Sequence, residues 1–147
     1  MRQTSKRLMQ VVEETETRLA AITERESAIR SDTGKWSRKE VLGHLIDSAS
    51  NNHQRFVRTQ LDGSLNFPGY QQDGWNRTQQ YQSEPWTNLV KLWASYNRHL
   101  AHMIAVMPDD AGPHTCVIGG KAPVTLQFLV TDYLVHLEHH LEQILGD

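Results

Sequence analysis

Cysteine occurs once in this chain, at Cys116. An intramolecular disulfide is therefore impossible, and a cysteine-based zinc knuckle is excluded. Long apolar runs are missing as well. Nothing approaches the roughly 20 residues that span a bilayer, so no membrane partner is expected. The basic residues of the opening stretch MRQTSKRLMQ have no apolar segment behind them. No signal peptide is expected on that ground, and a cytoplasmic location follows. There is no long basic run, and the formal net charge is −2, which argues against nucleic acid as a partner. Internal repeats and low-complexity segments are absent. Strict apolar–polar alternation never lasts more than a few residues, so strands find little support.

What is present suits a helical protein. With 147 residues, 38% hydrophobic and 22% charged, the composition is that of a soluble globular protein, and the length fits one domain over residues 1–147. Four helical segments are expected. The first runs from about 4 to 28, with Leu8, Val12, Thr15, Leu19 and Ile22 at helical steps. The second opens on Ser37-Arg-Lys-Glu40, a capping box with Trp36 and Val41 placed as a hydrophobic staple. It continues to about Leu61, where Asp62-Gly63 stops it. The third starts near Ser83 with Pro85 in its first turn and ends at Pro108. The fourth starts near Thr125, with Val124 and Leu129 as a second staple, and stops at Gly146. The fold class is thus all-α, a four-helix bundle with long crossover loops. Residues 62–82 and 108–123 are those loops. The first is expected to tuck Phe67, Tyr70 and Trp75 into a groove or to line a pocket.

Eight histidines are many for such a chain, and their spacing is informative. On the fourth helix the inward seam reads Leu129, Tyr133, His136, His140, Ile144. His136 and His140 lie one turn apart on one face, where two imidazoles can converge on one ion. His139 is about 100° around the helix from His140 and belongs to the rim, as a bystander or outer partner. The second helix carries Val41, His44, Ser48, Asn51, Arg55 on one face, a column that starts apolar and turns polar. His44 is its ligand-competent imidazole, since His53 points elsewhere. Burying Asn51 and Arg55 without partners would cost several kcal/mol or so, unless the column lines a wet pocket. Three histidine ligands leave a divalent ion with open positions, the arrangement of catalytic rather than structural zinc. Hydrogen-bonded core histidines without a metal are the alternative at this point.

Several metal and cofactor classes drop out. Without Glu-x-x-His a ferritin-like di-iron site is not expected. Without HExxH or CxxCH there is neither a zincin site nor c-type haem attachment. His99 and His102 are expected on the surface. His114 lies in a loop that can reach a site mouth. Cys116 reads as a small buried or loop residue rather than a nucleophile. Glu138 and Glu142 are expected in solvent, with a general base as the other role for one of them.

Two stretches, KWSRKEVLGHLIDSASNNHQRFVR and TLQFLVTDYLVHLEHHLEQI, resemble the DinB-like superfamily, and most closely its YfiT-type branch of metal-dependent hydrolases. The first carries the Trp, the His-x-x-Asp-Ser and the later Asn and Arg of that pattern. The second carries its closing His-x-x-His-His. FPGYQQDGW is similar to the Tyr and Trp of the branch's long loop. The resemblance covers nearly the whole chain. It implies a four-helix bundle and a homodimer. It also implies metal ligands at His44, His136 and His140, with Asp47, Asn51 and Arg55 on shared motif positions as candidate catalytic residues. One divalent metal per chain is implied, zinc or nickel first, with iron or manganese as alternatives.

Three functions are compatible with these residues. The first is a metal-dependent hydrolase of a small-molecule substrate, with Asp47 orienting a ligand imidazole and Arg55 clamping a carboxylate. In the alternative roles Asp47 is a solvated surface carboxylate and Arg55 forms an inter-helix salt bridge. The second is a transferase that presents a low-molecular-weight thiol cosubstrate, of the bacillithiol or glutathione type, to an electrophile. The third is a non-enzymatic metal-binding stress protein.

Overall fold

The structure is a computed structural model in which residues 1–146 are described. Helix α1 (Arg2–Ala20) is followed by the single turn α2 (Glu24–Ser27), then the long helix α3 (Arg38–Asp62), strand β1 (Ser64–Phe67) and helix α4 (Gln72–Gln79). Helix α5 (Trp86–Ala105), strands β2 (Thr115–Ile118) and β3 (Val124–Thr125), and helix α6 (Leu126–Leu145) complete the order. The four long helices form the bundle. Both α1 and α3 pack against α5 and α6, so the order around the bundle is α1, α5, α3, α6. No helix among the described residues is long and apolar enough to cross a membrane.

The expected first helix is broken. Thr23 accepts from the backbone N–H of Glu26, whose carboxylate accepts from the Thr23 N–H. That capping box starts a new turn and ends the continuity of 4–28. The second expected box is present: Ser37 and Glu40 cap α3 reciprocally, and Gly63 closes it at φ +69°, a left-handed conformation that glycine adopts without a Cβ penalty. Helix α5 begins at Trp86 rather than near Ser83. Glu84, preceding Pro85, is extended, as the proline ring requires.

The expected absence of strands is corrected by a small sheet of order β1-β2-β3. β1 pairs parallel with β2, Ser64 opposite Thr115 and Phe67 opposite Ile118; β2 pairs antiparallel with β3. These strands are too short and too far apart in sequence for periodicity to reveal them. The sheet joins the two crossover connections. Gly119 donates to the Phe67 carbonyl at 2.9 Å, and a Cβ on Gly119 would stand 3.5 Å from the Gly69 nitrogen.

The core is filled by Trp86, Trp93, Phe56 and leucines from all four helices. Each tryptophan removes about 200 Å² from water, about 5 kcal/mol at ~25 cal/mol per Å² before the entropy of ordering. Trp86 keeps its indole N–H satisfied by donating to the Leu19 carbonyl at 2.8 Å. Phe67 packs on the core edge as expected. Tyr70 and Trp75 lie against each other, centroids 5.0 Å apart, and with Phe67 they line one cleft, as expected, although Trp75 stays exposed.

Candidate metal centre

Every residue of the α3 seam is buried: Val41, His44, Ser48, Asn51 and Arg55. The facing helix differs slightly from expectation. The buried stripe of α6 runs through Val130, Tyr133, Leu134, Leu137 and Leu141, so His136 and His140 stand at its edge, half-buried. That edge faces His44, which is only 1% exposed. The three imidazoles converge, with one candidate ligand atom from each lying within 4.8 Å of the others. The Nε2 atoms of His44 and His136 are 3.1 Å apart. The His44 ring is 4.9 Å from that of His140, and the two α6 rings are 4.5 Å apart, centroid to centroid.

The chemistry of these donors suits a divalent metal. Tetrahedral ligands about 2.05 Å from zinc stand about 3.3 Å from one another, close to the 3.1 Å between His44 and His136; across all three residues the spread reaches no more than 4.8 Å. Burial, followed by the like charges of His136 and His140, pulls the His44 pKa down to about 4. Burial, followed by His140, pulls His136 down to about 4, against a raising effect of Asp132. Both rings are neutral at pH 7 and keep a lone pair to donate. His140 is oriented from outside. Its Nδ1 is 2.9 Å from Oε1 of Gln143, which can only accept, so Nδ1 carries the proton and Nε2 is left free. The same Gln143 donates its amide to Nε2 of His139 at 3.1 Å. His139 is thus an outer partner of the site. Trp36 covers His44, ring centroids 5.4 Å apart.

The candidate catalytic residues fare differently. Asp47 is buried, not a solvated surface carboxylate, and its hydrogen bonds do not go to an imidazole. Its Oδ1 accepts from Tyr81 Oη and from Gln79 Nε2, each at 2.7 Å. Burial raises its pKa against those two hydrogen bonds. Oδ2 of Asp47 and Nδ1 of His44 and His136 have no protein partner. Asn51 turns its amide back to the Asp47 carbonyl at 2.9 Å. Arg55 forms no inter-helix salt bridge among the described residues. Its one hydrogen bond, 3.4 Å long, goes to Asn52 Oδ1, and its guanidinium lies 5.3 Å from the centre of the Phe67 ring.

Two clefts flank this column and share Gly69 and Tyr70 as a wall. A polar cleft of about 530 Å³ reaches His136 and is lined by Ser48, Asn52, Arg55, Lys121 and Asp132. An aromatic cleft of about 780 Å³ lies over Asn51 and Gln79, between Phe67, Tyr70 and Trp75.

The remaining candidates lie outside the centre. His53 contacts Tyr96 and His99, and His102 is exposed. His114 donates to the Thr59 carbonyl at 3.0 Å and lines neither cleft. Glu138 pairs with Arg7 at 2.8 Å, and Glu142 is exposed, so neither is placed as a general base. Cys116 is fully buried, and burial pushes its thiol up. Gln143, Tyr81, Gln79, Lys121 and Asp132 escape the sequence reading. Two of them carry a helical signal: Gln143 is three residues beyond His140, and Asp132 four before His136.

A solved structure with a similar fold is YfiT from Bacillus subtilis, described as a probable metal-dependent hydrolase with an unusual four-helix bundle topology. The two superpose with a TM-score of 0.82 at 19% identity, over 95% of this chain and 83% of that one. Among curated protein sequences none matches significantly. The sequence model of the DinB superfamily matches residues 7–144. With nearly its whole length covered by that match, the chain belongs to the DinB superfamily.

Proposed function

We propose that this protein is a metal-dependent enzyme, a hydrolase of a small organic substrate, with His44, His136 and His140 as its metal ligands. The observation that carries the reading is the convergence of three imidazoles from α3 and α6, two of them held neutral, with one candidate ligand atom from each within 4.8 Å of the others. Nitrogen donors of this kind suit zinc or nickel, with iron or manganese as alternatives. A divalent ion bound here supplies Lewis acidity to a substrate carbonyl, or to a water or thiol that it coordinates.

The protein's own groups divide the remaining work. Gln143 holds the His140 tautomer. Trp36 keeps water from the back of His44. Asp47, buried and bonded to Tyr81 and Gln79, ties the α4 segment to the polar column of α3. The polar cleft gives the substrate its approach to His136. The unpaired cation Arg55 also favours a second reading, transfer of a low-molecular-weight thiol, because such cosubstrates carry carboxylates.

The test is elemental analysis of untagged protein beside His140→Ala after dialysis against metal-free buffer. About one divalent ion per chain, lost in the variant, is expected. An empty wild type that takes up none of the four metals would sink the proposal. The loaded protein is then assayed on ester and amide panels, and with a thiol plus an electrophile. Turnover of the first set alone supports the hydrolase, and turnover of the second alone supports the transferase.

A further inference from the structure

Most of the buried or half-buried cations of this protein have an acid or backbone carbonyls to answer them. Lys39, 3% exposed, pairs with Glu24 and donates to the Glu84 carbonyl. Arg98 pairs with Glu16, and Arg38 donates to the Ile144 carbonyl. Arg55 is the exception. It is 8% exposed and has no carboxylate partner among the described residues. Its contacts are one long hydrogen bond to a neutral amide and the face of Phe67. A guanidinium cannot shed its proton to relieve this, and one cation–π contact does not offset the cost of taking a cation out of water. The chemistry of this site calls for an anion.

The surroundings say where that anion lies. Arg55 shares the polar cleft with Lys121, a second cation without an ion pair among the described residues. Lys121 is presented by the turn through Gly119 and Gly120, both at positive φ, and that turn is pinned to β1 by the Gly119 N–H bond to Phe67. Ser48 and Asn52 add neutral polar groups to the lining. Asp132 lines the same cleft from α6 yet makes no ion pair with either cation. The lining therefore carries two cations, one from α3 and one from the Gly119 turn, and one acidic residue a helical turn before His136 on α6. A cleft of about 530 Å³ is within the range for small-molecule sites.

We propose that this cleft binds the carboxylate or phosphate group of a small organic ligand between Arg55 and Lys121, with the remainder of the ligand extending along α6 toward His136. The substrate class is then a small molecule with one anionic group, uncharged or cationic at its other end near Asp132. The inference rests on the proposed metal site only for what lies at that other end.

The experiment uses chelator-treated full-length protein, so that no metal contributes to anion binding. Sodium acetate, inorganic phosphate and neutral acetamide are titrated, with saturation read by calorimetry and by NMR shifts of the Arg55 Nε–H and the Lys121 amide. Saturable binding of acetate or phosphate, but not of acetamide, is expected, and the better of the two tells carboxylate from phosphate. Arg55→Met should weaken it about tenfold, and Lys121→Met, at an exposed position, about threefold. Arg55→Lys, keeping charge but losing the planar fork, should fall between. Asp132→Asn should tighten binding, and Arg98→Met should leave it unchanged. Absence of binding by both anions overturns the proposal, as does Arg55→Met binding as well as wild type. If Arg55→Met does not fold, Lys121→Met and Asp132→Asn decide, and no change in both overturns it. Metal uptake is scored separately. His140→Ala is expected to lose metal and keep the anion, so either reading can fail without the other.

Discussion

At the residue scale, the proposed site depends on groups that belong neither to the three-histidine cluster nor to the polar cleft. Gln143 fixes which nitrogen of His140 carries the proton. Its removal should cost metal affinity without removing a ligand. Outer hydrogen bonds of this type contribute about 10–100-fold, and because Gln143 is exposed the lower end applies. Gln143→Ala is expected to bind zinc about tenfold more weakly in competition with a chromophoric chelator; equal affinity would show that His140 needs no holder. Gly43 acts by its lack of a side chain. A Cβ there would stand 2.2 Å from the Tyr81 ring, which cannot withdraw without releasing Asp47. The better helix propensity of alanine recovers about 1 kcal/mol, less than this clash costs. Gly43→Ala is expected to lower stability by about 2 kcal/mol in urea denaturation, and an unchanged midpoint would mean that Tyr81 is free to move.

At the scale of elements, α3 explains most of what was legible. Its capping box, its glycine stop and its three-and-four spacing are all local signals, and each is present in the fold. The same spacing on α6 selected His136 and His140, because a helix face is written directly in the sequence. Where the reading stopped, the cause is non-local. Strands β1 and β2 pair across the whole of α5, and nothing in four residues announces such a partner. Lys121 reaches the cleft only because that sheet carries its turn there. The polar column of α3 was visible, but the partners of Asp47 come from α4 and the turn after it, in a segment that reads as loop. The ligand helices also set a pH dependence. His44 and His136 titrate at about 4 in the fold against 6.5 for an unperturbed histidine. Between those values the unfolded chain binds more protons, so stability falls as the pH is lowered. Metal-free protein should show full stability above about pH 6.5 and a falling urea midpoint from there to about pH 4. His136→Asn should give a shallower fall, and a flat profile in the wild type would contradict the neutral pair.

For the whole molecule, His44 and the α6 histidines come from distant parts of the chain, and one ion would cross-link neighbouring helices of the bundle. Anything that binds the folded form alone stabilises it by mass action, about 4 kcal/mol when the free ion exceeds its Kd a thousandfold. Zinc added to chelator-treated protein should raise the melting temperature of wild type and leave that of His44→Ala in place. An equal rise in both would indicate binding elsewhere, for instance at His53 and His99, whose rings are 5.3 Å apart.

The parallel pairing of β1 with β2 also bears on the order in which the molecule assembles. Contacts between segments far apart in sequence carry a larger loop-closure cost and form late, whereas α3 and α6 can gain helical structure from local interactions. The small sheet, and with it the Gly119 turn and the shared Tyr70 wall, is then among the last parts to close during folding. In amide exchange the Gly119 N–H should open well before those in the middle of α3 and α6. Bringing His44 to His136 closes a still longer loop, 92 residues, so a chain that has just left the ribosome would complete neither its ion site nor its cleft from local structure alone, and both would wait on the docking of its last helix.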